Sequence, residues 1–217
     1  MTEPRDETAL LRRIEVTTAV LLSVAGLVSA WASYQASLWG GVQASHYAYA
    51  SAKVTEASRL SILDGQAFGK DAQMFMAWLD AAAEGDEARM NFFEHRFSPE
   101  LRSKFDPWRS TYTGDLRRLK MDPNAPREFP RPEHKEGIQA RALQRAADAE
   151  FEEGEQANRI SDRYVAATVV LSTVLFLGGI SPLLRGARIR MAMLALASVL
   201  GIAACIFIFS LPIEAAL

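Results

Sequence analysis

Three stretches of this chain, Val16 to Tyr34, Tyr164 to Leu184 and Met191 to Leu211, contain no Asp, Glu, Lys, Arg or His. At about 1.5 Å of rise per residue, each is long enough as a helix to cross a hydrocarbon core of about 30 Å, the first only just. Buried core helices are the competing reading, but two long uncharged runs separated by a handful of residues do not suit a soluble domain of this size. The composition of the 217 residues hides this, because 49% hydrophobic residues and a net charge of −2 look ordinary. Apolar residues collect at the two ends, and charged ones collect in the middle.

The first stretch imitates a secretory signal, with Arg12 and Arg13 before it and Ala30-Trp31-Ala32 near its end. Trp beside a peptidase site and a helical pattern that continues past it favour an uncleaved anchor. Orientation follows from arginine placement, since positive residues in short loops stay cytoplasmic. Arg12 and Arg13 flank the first span, and the connector between the last two carries Arg185, Arg188 and Arg190 with no acid. The expected layout is residues 1–15 cytoplasmic, 16–34 the first span, 35–163 periplasmic, 164–184 the second span, 185–190 a cytoplasmic loop, 191–211 the third span and 212–217 a periplasmic tail. The chain is therefore expected to be multi-pass in a membrane, with the N-terminus inside and the C-terminus outside. Trp31, Tyr34, Trp39 and Tyr164 fall where amphipathic rings anchor a membrane interface.

Residues 35–163 carry 18 Lys and Arg against 21 Asp and Glu, which leaves no basic face and argues against nucleic acid as a partner. Residues 35–63 and 135–163 are helix-favouring and equal in length, so they are expected to pair as an antiparallel stalk. Residues 64–134 then form a small helical cap. Its apolar positions are Phe68, Met74, Phe75, Met76, Trp78 and Leu79, then Met90, Phe92, Phe93 and Phe97. Ser98-Pro99-Glu100 reads as a helix start, and Pro123, Pro126, Pro130 and Pro132 mark an extended linker. The predicted fold is all-α: three transmembrane helices with a periplasmic stalk and cap inserted between the first and second.

Small residues from Ser29 to Ala52 come in doublets at a mean spacing of about 3.7, an eleven-residue type of repeat that holds one face of a nearly straight helix. Ser29, Ser33, Ala36, Ser37, Gly40, Gly41, Ala44, Ser45 and Ala48 carry this face. A face with so little side chain lets another helix approach closely. Its partner is either the chain's own alanine-rich return helix or an identical subunit. Gln35, His46 and Lys53 project in similar directions and form a candidate polar path, although such residues are more often a solvated side of a stalk. No charge interrupts the spans, which weakens a conducting function.

Chemistry is sparse. The acidic run Asp148 to Glu155 lies on a predicted helix rather than a calcium loop. Glu94-His95 has no nucleophile motif beside it, and Cys205 stands alone within an apolar run. No cofactor and no metal site are expected, and the chain reads as a non-enzyme.

The segments around Trp31, Tyr34, Gln35, Ala36 and Trp39, around Arg96, Phe97, Pro99 and Glu100, and Ser161-Asp162-Arg163-Tyr164 resemble a bacterial inner-membrane family of unassigned function. Its members share a W-x-x-Y-Q-A-x-x-W segment after the first span. The resemblance implies a shared architecture and no reaction. The expected role is a self-associating scaffold or accessory subunit, with lipid, a second copy and a membrane-complex partner as its contacts. The alternative is an oligomeric channel or transport component whose path follows the Gln35 to Lys53 face.

Overall fold

A computed structural model describes residues 4–123, 125–126, 128–184 and 186–215, with side chains from Arg12 onward. The described residues are all-helical, without a strand: α1 (Pro4–Glu84), α2 (Glu87–Glu94), α3 (Pro99–Ser110), α4 (Lys135–Ile180) and α5 (Ala187–Phe209), with 3-10 turns at Leu116–Arg118 and Ser181–Leu183. Three of the helices, α1, α4 and α5, are long and apolar enough to cross a membrane.

Helix boundaries follow local chemistry. α1 contains no proline after Pro4 and continues through Gly65 and Gly69, so the stalk-to-cap boundary expected after residue 63 falls inside a helix. It stops at Gly85, whose φ of 73° only glycine adopts readily. The Gly85 N–H donates to the Ala82 carbonyl and the Asp86 N–H to that of Ala81, closing the helix end. Asp86 caps α2 by accepting from the Arg89 N–H at 3.0 Å, and Ser98 caps α3 by accepting from the Leu101 N–H at 3.0 Å. α4 ends before Pro182, and Gly186 (φ 105°) turns the chain into α5. There the Arg190 guanidinium donates to the carbonyls of Leu184 and Pro182 at 2.9 and 2.8 Å.

The chain divides into two compact units, Met1–Ala48 with Glu150–Leu217, and Tyr49–Ala149. The first is built on a core of small residues from α1 and α5 against larger ones from α4. Ala25, Ala32 and Ala36, and Ala197 and Ala204, surround Ile160, Tyr164, Leu171 and Val174. Buried positions on α4 (Ile160, Tyr164, Ala167, Leu171, Val174, Gly178) and α5 (Ala197, Gly201, Ala204, Ile208) advance in alternating steps of four and three, the spacing of a left-handed helical seam. Gly178 lets the Leu22 side chain in, since a Cβ there would stand 2.6 Å from it. The outward positions are apolar as well: Val20 and Leu27 on α1, Val169 and Phe176 on α4, Val199 and Ile206 on α5 are all exposed. An unburied apolar surface on three such helices suits lipid rather than water.

The second unit has an aromatic core. Phe75, Trp78, Phe97, Leu101, Phe105, Tyr112 and Leu119 are buried, and the Phe75 ring meets those of Trp78, Phe105, Trp108 and Phe129. Trp78 is fully enclosed and its indole N–H donates to Glu94 at 2.7 Å. Of the apolar positions the sequence marks for this core, Phe92 stays half outside with the Arg96 guanidinium 3.6 Å above its ring.

Candidate functional site

Two polar constructions stand out from these cores, one in each unit. In the first unit, Gln35 is completely buried and its amide reads a single backbone unit of the C-terminal tail. Its Nε2 donates to the Glu214 carbonyl at 3.1 Å, and its Oε1 accepts from the Glu214 N–H at 2.9 Å. One turn further along α1, the Trp39 indole N–H donates to the Pro212 carbonyl, and the Tyr164 hydroxyl of α4 donates to the same oxygen, each at 3.1 Å. The Ser161 hydroxyl donates to the Ala36 carbonyl at 2.9 Å. The tail after α5 is thereby strapped to α1 and α4 through groups that buried backbone requires in any case.

Further along the same pair of helices, His46 Nδ1 lies 2.7 Å from Glu150 Oε2. The Tyr47 ring stacks at a tilt on Phe151, with centroids 5.8 Å apart, and rests on Gly154, where a Cβ would come within 2.5 Å of it. Glycine weakens a helix interior, but Gly154 is the place where α1 delivers a ring.

In the second unit the construction is ionic. His134, the residue before α4, is 6% exposed, with Nδ1 3.1 Å from Asp64 and Nε2 3.0 Å from Asp71. Asp71 is itself buried and also accepts from the Ser98 hydroxyl at 2.8 Å. Burial alone pushes the imidazole toward its neutral form, but hydrogen bonds to Asp71 and Asp64 and the charges of both carboxylates outweigh it, so His134 titrates above its ordinary range. Gly137, one turn into α4, makes room for Asp64, because a Cβ there would stand 2.7 Å from its carboxylate. This is no catalytic triad: Ser98 donates to the acid rather than to the histidine, and both ring nitrogens are occupied.

The residues marked by the sequence distribute as follows. On the small-residue face Ala36 is buried, Ser29 and Gly40 are half-buried, and Ser33, Ser37, Gly41, Ala44, Ser45 and Ala48 are exposed. A Cβ added to Gly40 or Gly41 would meet nothing within 4 Å. Of the polar-path residues, Gln35 and His46 are engaged as described, and Lys53 is half-buried in the second unit. Trp31 and Tyr34 are exposed with ring centroids 6.0 Å apart, whereas Trp39 and Tyr164 turn inward to hold Pro212. Arg12, Arg13 and Arg188 are exposed, Arg190 caps the loop carbonyls, and Arg185 lies outside the described residues. His95 bonds its own helix at Asn91. Among the described residues no group of three His, Cys, Asp or Glu side chains is placed to hold a metal ion.

Sequence reasoning missed the tail strap and the roles of Asp64, Asp71 and His134. One signal was present: Asp64 and Asp71 are seven residues apart and share a face of α1.

No protein-family model, curated protein or solved structure matches this chain.

Proposed function

We propose that this protein is a non-enzymatic, self-associating integral membrane protein of a bacterial inner membrane, which presents its helical middle segment to the periplasm as a scaffold or accessory subunit. One observation carries the reading: the small-residue face of α1 is turned outward at Ser33, Ser37, Gly41, Ala44, Ser45 and Ala48. Its own return helix does not cover those residues, which leaves a second copy as the partner that such a face suits. The pairings Leu22 with Gly178, Ala36 with Ser161 and Tyr47 with Gly154 support an antiparallel course for α1 and α4. Arg12, Arg13 and Arg188 support cytoplasmic placement of the N-terminus and of the α4–α5 connection. The resemblance around Trp31 to Trp39 agrees with an inner-membrane location. A non-enzymatic role is favoured because Ser98, Asp71, His134 and Asp64 are spent on one another. Engagement of Gln35 and His46 within the chain weighs against conduction along that side of α1.

Native mass spectrometry in detergent tests the association. The wild-type chain is expected as an oligomer, and Gly41→Trp or Ala44→Trp, which place bulk on open surface, should yield folded monomers. A monomeric wild type, or an oligomer indifferent to both substitutions, refutes the reading. Alkaline phosphatase fused near Asp122 should be active, and Arg188→Cys should be labelled only from the cytoplasmic side.

A further inference from the structure

The Asp64–His134–Asp71 cluster joins α1 to the residue before α4 through one imidazole that has a carboxylate at each ring nitrogen. Both ring nitrogens face carboxylate oxygens at hydrogen-bond distance, and an ionised carboxylate only accepts. With both carboxylates ionised, the two contacts call for two N–H groups, which is the imidazolium form. We propose that this cluster is a proton-operated latch: doubly protonated His134 fastens the start of α4 to α1, and loss of one proton releases the Asp64 arm.

The two arms are unequal. Asp71 is 3% exposed at its side chain and keeps the Ser98 hydroxyl as a second donor, so leaving it without the imidazole N–H strands a charge in the core. Asp64 is 30% exposed and can turn to water. Neutral His134 thus keeps its proton on Nε2 for Asp71, while bare Nδ1 and the Asp64 carboxylate repel. Gly137 sets the closed position, because it alone leaves room for the Asp64 carboxylate beside α4. The charged groups around the imidazole are Asp64 and Asp71 from α1, while α3 contributes only uncharged Ser98. On the segment of His134 itself, Lys135 pairs with Glu136, and Arg131 lies 5.3 Å from the Phe68 ring centroid. The elements joined are α1, the N-terminus of α3 and the first turn of α4, whose Ile138 N–H donates to the His134 carbonyl at 3.2 Å.

The sign follows from linkage. A histidine whose titration is raised on folding contributes stability that is complete below its unfolded value and is lost as pH rises through the folded one. The latch is closed below the ordinary histidine range and opens as pH rises through the raised titration of His134, whichever face of a membrane the domain occupies. The latch therefore needs neither the proposed topology nor self-association.

The test uses the full chain in detergent micelles, with His46→Gln and His95→Gln leaving one imidazole to follow by NMR between about pH 6 and about pH 9. Amide exchange at Ile138 is measured over the same interval and corrected for base catalysis. The imidazole is expected to titrate above the ordinary value, with Ile138 protection falling about tenfold in step with it. Gly137→Ala should give low protection that is flat with pH. Asp64→Asn, which keeps the shape and removes the charge, should lower the titration and abolish the step. An imidazole that titrates at or below the ordinary value, protection that stays level through the titration, or a pH step that survives in Asp64→Asn would overturn the latch.

Discussion

Replacing Gln35 by Leu tests whether the buried amide holds the tail. The substitution keeps the volume and removes a donor and an acceptor, which now meet the Glu214 carbonyl at 3.1 Å and its N–H at 2.9 Å. Two such bonds are together worth roughly 2 kcal/mol net, or about a 30-fold shift toward the undocked tail. Pro212 keeps the Trp39 and Tyr164 donors, and Leu211 stays buried, so the loss is confined to the outer part of the strap. Hydrogen exchange of the Glu214 amide in the micelle-bound protein reads this directly and should quicken by about that factor. The Leu211 amide, bonded to Ile208 at 3.1 Å, serves as the internal control and should not change. Gln35→Glu should loosen the tail only where the new side chain ionises, because a carboxylate cannot donate to the Glu214 carbonyl whereas the protonated acid can. Glu214 exchange unchanged within about threefold, or equal acceleration at Leu211, would refute the strap as a local, amide-held device.

Gly154→Ala gains about 1 kcal/mol of helix propensity but drives a Cβ to 2.5 Å from the Tyr47 ring, a strain of about 1–3 kcal/mol. Thermal unfolding should show net destabilisation that changes sign in a Tyr47→Ala background; destabilisation in both backgrounds would point elsewhere. Phe105→Ala should cost about 3–5 kcal/mol in denaturant unfolding, whereas exposed Phe92→Ala should cost about 0.5 kcal/mol or less, and equal losses would contradict the assigned core. Burial, and then the hydrogen bond to Asp122, raise the titration of Tyr112 above the ordinary phenol range. Its contribution is present below the unfolded value and is lost as pH rises through the folded one, so Tyr112→Phe should flatten the alkaline limb of the stability profile.

Local chemistry made much of this fold legible. Charge-free stretches marked the three long apolar helices, and Ser98-Pro99 marked the start of α3, because each signal lies wholly within one continuous segment of chain. The expected end of the stalk helix near residue 63 did not materialise, because Gly65 and Gly69 weaken a helix without breaking it. Termination waited for Gly85, where the chain takes a positive φ. The tail strap and the histidine cluster were not legible, because their meaning lies in partners 179 and 63 residues distant. Nothing near Gln35 announces that its amide will be read against Glu214. His134 likewise resembles any linker histidine until α1 brings two carboxylates to it.

The small residues of α1 show why a correct pattern can leave its partner undetermined. Their doublets recur at about 3.7 residues, whereas the buried positions of α4 and α5 alternate four and three, a period of 3.5. Two stripes with those periods cannot stay superposed on one helix, and over six turns they separate by roughly a quarter of a turn. Ala32 and Ala36 lie where the stripes coincide and are buried in the core with Ile160 and Tyr164. By Ala44, Ser45 and Ala48 the small stripe has wound out from under α4, and the inner positions are held by His46 and Tyr47, each with a partner on α4. Packing inside the chain therefore needed smallness only at the first turns of the stripe. Continuation of the same spacing onto exposed surface is unnecessary for this chain's own core, and that excess is the physical ground for expecting a second helix there.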